Sequence, residues 1–190
     1  MISDRVFTLK PFNVSESNSK LNITGNIVRD GNQLNLDYLL QGDLSTVIIP
    51  SPAKIPTRKH ELWQTTCFEF FIGIEHSPQY WEFNLSPTGD WNIYRFSNYR
   101  QEMEEETAFT SLPFNVIQQL KSLNINLEIN LNLIIEQNTA LEIGISTVIE
   151  SSEGTISYWA LTHPEKIADF HNRDSFIIHS DISSLGHHLK

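Results

Sequence analysis

The sequence predicts an all-β protein, an antiparallel β-sandwich of the immunoglobulin-like or jelly-roll kind. Two observations carry that prediction. From 123 to 133, Leu123, Ile125, Leu127, Ile129, Leu131 and Leu133 alternate without a break with Asn and Glu, the period of a strand with one face on a core and one in water. Around it, about nine or ten short β-rich segments are spaced by turn residues, with no long helical period and no strand-helix rhythm. A chain of 190 residues, 39% hydrophobic and 19% charged, can bury a core without staples, so residues 1–190 read as one domain.

In chain order, Leu21–Thr24 and Leu34–Leu39 flank Arg29-Asp30-Gly31-Asn32, whose Asp-Gly signals a hairpin. Pro50–Leu62 holds three prolines and the basic cluster Lys54, Arg58 and Lys59, and reads as an exposed loop. Cys67–Ile74 is short, aromatic and β-rich. Tyr80–Leu85 and Trp91–Phe96 flank the turn Ser86-Pro87-Thr88-Gly89-Asp90. Glu102–Glu106, with four glutamates, reads as a second exposed loop, and Phe114–Leu120 fits either a short helix or a strand. Leu123–Leu133 and Leu141–Thr147, joined by a turn at Gln137-Asn138-Thr139, read as a hairpin. Thr155–Leu161 and Ser175–His179 are the last strands.

Composition excludes several functions. A net charge of −10 lacks the basic footprint of a nucleic-acid or anionic-membrane partner. One cysteine, Cys67, allows no internal disulfide, and its apolar strand suits inert packing better than a nucleophile. The N-terminus has no signal-peptide pattern and no run of about 18 apolar residues occurs, so a cytoplasmic location is expected. No phosphate-binding glycine loop and no nucleophile elbow is found.

Candidate site residues follow from strand alternation. Glu69 faces away from Phe68 and Phe70, while Glu82 and Asn84 face away from Trp81, Phe83 and Leu85. If the two strands are neighbours, the three form a polar patch on one sheet face. That patch is either a solvated outer face or a ligand surface, and paired acids about 5–10 Å apart also suit glycoside hydrolysis. His163 and His171, with Asp169 and Asp174, match no standard zinc spacing, and Asp169, Arg173 and Asp174 suit turn capping and mutual pairing. Trp81 and Trp159 read as core; Trp63, after the proline-rich loop, and Trp91, just after a turn, read as the more exposed pair.

Three segments, 62–71 (LWQTTCFEFF), 80–100 (YWEFNLSPTGDWNIYRFSNYR) and 157–176 (SYWALTHPEKIADFHNRDSF), together resemble bacterial DOMON-like proteins, a group similar to family 9 carbohydrate-binding modules. With the strands between, the resemblance spans about residues 20–180. It implies a β-sandwich that binds a sugar or a haem. For a sugar, Trp63 and Trp91 are of the type that clamps the ring, and Glu69, Glu82, Asn84 and Arg95 of the type that bonds its hydroxyls; His163, His171 and Arg173 add polar contacts. For a haem, Met103 with His163 is the axial pair the sequence offers. The reading is a non-catalytic module for a carbohydrate or sugar-like small molecule, with no cofactor. A b-type haem domain and a ligand-free interaction domain are the alternatives.

Overall fold

The computed structural model describes residues 2–15 and 18–180, and the description below concerns these. Thirteen strands are present among them: β1 (Ile2–Thr8), β2 (Lys10–Pro11), β3 (Asn22–Asp30), β4 (Gln33–Gln41), β5 (Cys67–Ile74), β6 (Tyr80–Leu85), β7 (Trp91–Phe96), β8 (Glu104–Glu105), β9 (Phe114–Gln118), β10 (Ser122–Asn130), β11 (Leu141–Glu150), β12 (Ile156–Ala160) and β13 (Ile178–Ser180). Helical structure among the described residues is confined to four three-residue 3-10 turns.

Two antiparallel sheets form a sandwich. One has the order β1-β3-β4-β10-β9, the other β2-β12-β11-β5-β6-β7-β8, with β13 also pairing β11. Between them lies one core, to which Leu34, Leu36, Leu40, Ile125 and Leu127 contribute from the first sheet and Phe68, Phe70, Ile72, Phe83 and Ile143 from the second. Phe70 and Phe83 stack at 4.3 Å between centroids. Tyr38 crosses the core: its hydroxyl donates to the Glu69 backbone carbonyl at 2.7 Å, and its ring meets Phe68 edge-on. A buried phenol needs such an acceptor, so the bond ties β4 to β5 at the residue whose side chain points out the other way.

The structure corrects several expectations. The alternation from 123 ends at Asn130, whose side-chain oxygen caps a 3-10 turn over Leu131–Leu133 and leaves Leu133 60% exposed. Local side-chain capping thus overrides the period-2 pattern. β10 and β11 are not a hairpin, because the connection after that turn carries the chain from one sheet to the other. Ser175 belongs to a 3-10 turn, and the last strand starts at Ile178. β1 and β2, not foreseen, fill edges of the two sheets. Phe114–Gln118 is a strand, β9. Trp91 is buried at 4% exposure, because strand alternation from the turn points it inward. Arg58 lies over its ring at 4.3 Å and is half-buried, donating to Asn92 Oδ1 and to the carbonyls of Glu106 and Phe109.

β12 and β13 pair with different stretches of the same edge of β11, Ser146–Glu150 and Leu141–Ile143. The chain between them, residues 161–177, leaves the edge and returns to it. It packs Phe176 and Phe170 against Phe71, Tyr80, Tyr94 and Phe96 on the outer face of the second sheet. Two glycines make room for this cover. A Cβ on Gly144 would lie 2.7 Å from the Phe176 ring, and one on Gly73 would lie 2.4 Å from the Arg173 guanidinium.

Candidate functional site

The covering segment turns an outer sheet face into a cavity of about 410 Å³. Its floor is the polar patch: in the β5–β6 ladder Glu69 opposes Asn84 and Phe71 opposes Glu82, so Glu69 and Glu82 are diagonal neighbours on one face. Trp63, Phe96, Tyr158 and Phe170 supply the walls, with Arg100, Met103, His171, Val148 and Ala168 completing the lining. The face is not solvated. Glu69 is 3% exposed, Glu82 4% and Asn84 0%.

Hydrogen bonds explain how the floor is held. Asn84 Nδ2 donates to Glu82 Oε1 at 2.8 Å, and Asn84 Oδ1 faces the Cys67 thiol at 3.6 Å. The other Glu82 oxygen lies 3.7 Å from His171 Nε2, too far for a hydrogen bond. The Tyr80 hydroxyl accepts from the Arg100 backbone N–H at 3.1 Å and lies 2.8 Å from His171 Nδ1. In the tautomer in which this hydroxyl donates to Nδ1, the ring proton is on Nε2, turned toward Glu82. Glu69 Oε1 has no hydrogen-bond partner, and neither has the hydroxyl of Ser146, its ladder neighbour on β11.

Electrostatics follow from burial. Burial pushes the Glu82 carboxyl up to about 7, against the pull of Asn84 and Arg100. Glu69 is pushed well above the ordinary range by burial and then by Glu82. Burial, with Arg100 nearby, lowers His171 to about 4, so it is neutral at pH 7. The Cys67 thiol is raised well above its usual value, mainly by burial, which keeps it protonated. At the rim, burial alone would raise Asp169, but the Tyr99 hydroxyl at 2.6 Å, Arg100 at 2.8 Å and the His171 N–H at 3.1 Å hold it low. That clip joins the loop after β7 to the covering segment.

Of the residues singled out in the sequence, Trp63, Glu69, Glu82 and His171 line this cavity and Asn84 braces its floor. The others lie elsewhere. Trp91 is in the core, as above. Arg95 alternates with Tyr94 and Phe96, so it points from the opposite face of β7 and pairs with Glu104 at 2.6 Å. His163 donates through Nε2 to the Lys10 carbonyl, with its ring edge-on to Phe12. Arg173 is a strut: it pairs with Glu142 and donates to the carbonyls of Ile74, Ser77 and Gln79. Met103 and His163 are not brought together, so the expected haem axial pair does not form. Phe96, Arg100, Tyr158 and Phe170 were missed. They come from three separate segments, and only the crossing of 161–177 over the sheet unites them.

A second cavity, of about 510 Å³, adjoins the first across Tyr158 and Ala168, and among the described residues no Asp, Glu, His, Lys or Arg lines it.

No family model and no curated protein sequence matches the chain. Among solved structures, a presumed carbohydrate-binding protein from Bacteroides uniformis superposes with a TM-score of 0.66 at 12% identity, over 90% of this chain and 83% of that one. A family 9 carbohydrate-binding module from Caldicellulosiruptor kristjanssonii with cellotriose gives 0.49 at 11% identity, over 83% of this chain and 72% of that one. The same organism's family 9 module with glucose gives 0.45 at 12%, over 80% and 72%. At such identities the first likeness is one of fold.

Proposed function

We propose that the chain is a non-catalytic module that binds a carbohydrate or sugar-like small molecule in the cavity above Glu69 and Glu82. One observation carries the reading: a buried acidic floor stands under walls of Trp63, Phe96, Tyr158 and Phe170. A sugar ring offers an apolar C–H face to an aromatic and a rim of hydroxyls to acceptors, and carboxylates are the stronger acceptors. The fold shared with a presumed carbohydrate-binding protein supports the same reading. Burial raises both carboxyls, whereas hydrolysis needs one of a pair to stay ionised as nucleophile or base, which favours binding over hydrolysis.

Affinity should be modest, since each hydroxyl exchanges water bonds for protein bonds at about 1 kcal/mol net. A dissociation constant between about 1 µM and 1 mM is expected. The test is a screen of mono- and oligosaccharides by calorimetry or ligand-observed NMR, repeated on Trp63→Ala and Glu82→Gln. Each substitution should weaken binding about tenfold or more. Binding that survives both moves the site elsewhere, and a screen without a binder refutes the proposal.

A further inference from the structure

We infer that the cavity floor receives a cationic nitrogen, so that the ligand carries a primary ammonium group seated at Glu69 and Glu82 beneath the aromatic walls. This deepens the carbohydrate reading and rests on it for the rest of the ligand, which it makes an amino sugar.

The argument starts from what is unmatched. Two carboxyls are buried side by side, and burial of like charges without a cation is costly. Among the described residues no cation pairs directly with them. Arg100 acts on Glu82 only at a distance and gives its guanidinium to Asp169, and His171 is neutral and stops 3.7 Å short of Glu82. Tyr38, Cys67, Tyr80 and Tyr94, the other titratable groups described against the pair, are neutral, as burial holds each of them above its ordinary value. Glu69 Oε1 is left with no donor at all. In the free protein the charge is avoided by retained protons. A ligand ammonium can replace those protons: it brings three N–H donors and the positive charge in one group, where a hydroxyl brings one donor and none. Trp63, Tyr158 and Phe170 add aromatic rings, and such rings attract ammonium cations. The net charge of −10 favours the approach of cations.

Two matched pairs test this on the intact chain: glucosamine against glucose, and cyclohexylamine against cyclohexanol, by ligand-observed NMR and calorimetry at pH 7. The amine of each pair should bind at least tenfold tighter. Calorimetry in buffers of different ionisation enthalpy should show about one proton released, because the floor gives up its proton to the ammonium. Cyclohexylamine affinity should rise from pH 6 to pH 8, a range in which an alkylamine keeps its own proton. Glu69→Gln and Glu82→Gln should each cut the amine preference below about threefold; if one variant does not fold, the other and the wild-type pairs still decide. Equal affinity within both pairs overturns the inference and leaves the carbohydrate reading standing. A cyclohexylamine preference with no binder in the saccharide screen supports the ammonium site and refutes the carbohydrate reading. No binding by any of the four refutes the ammonium site and leaves the carbohydrate reading to the wider saccharide screen.

Discussion

Replacing Glu82 by Gln should change how stability depends on pH, by an amount that follows from the site. Glu82 rises from an ordinary 4.5 to about 7 on folding, because burial penalises its charge. At about 1.4 kcal/mol per unit, ionising it in the folded chain costs about 3 kcal/mol more than in the unfolded one. That figure is an upper bound, since buried sites relax. A raised carboxyl holds its proton in the folded state after the unfolded state has lost it. Its stabilising effect is therefore full below about pH 4.5, falls as pH climbs to about 7, and then levels off. Glu69, also raised by burial and then by Glu82, acts in the same direction. His171 acts in the opposite sense: lowered from 6.5 to about 4, it adds stability as pH rises through that interval. The two slopes oppose each other up to about pH 6.5, and above it the carboxyls act alone. Glu82→Gln removes one slope and spares Glu69 a charged neighbour. Its stability relative to wild type should therefore grow by about 1–2 kcal/mol between pH 5.5 and pH 8.5. Urea unfolding at four pH values measures this, and thermal melts should follow at about 2–4 °C per kcal/mol for a chain this size. Parallel stability curves for the two proteins across that range would refute the reasoning, since they would mean that Glu82 is ionised at no cost.

Leu127 is 3% exposed between Leu36 and Phe114, so Leu127→Asp should cost about 4 kcal/mol or more and be seen as a collapsed melting transition; a melt within two degrees of wild type would misplace the core face. Gly144→Val puts carbon where the Phe176 ring lies and should cost about 1–3 kcal/mol, with hydrogen-exchange protection lost over 168–176 before the sheets. Haem added to the protein should give no stoichiometric low-spin spectrum, and Met103→Ala should leave the visible absorption unchanged; a six-coordinate species lost in that variant would reverse the ranking of ligands.

The class of fold and the composition of the site's floor are legible in the residue pattern alone. Unbroken alternation over Leu123–Asn130 can bury only one face, and alternation in β5 and β6 puts Glu69, Glu82 and Asn84 on the face away from Phe70 and Phe83. Those are local facts, fixed by a period of two. Whether that polar face was open or closed was not local. It depends on 161–177 leaving the edge of β11, crossing the sheet through Phe176 over Gly144 and Arg173 over Gly73, and clipping itself to Tyr99 and Arg100 through Asp169. The same limit hid the roles of Arg173 and His171. Both stand in one polar stretch, but the first braces the sheet while the second meets a carboxyl far away in sequence. Trp91 failed for a related reason, since proximity to a turn says nothing of which face a strand's first residue takes. Periodicity tells a residue which side of its own strand it is on; only the packing of distant segments decides what covers that side, and hence whether two carboxyls are ordinary surface acids or a buried site.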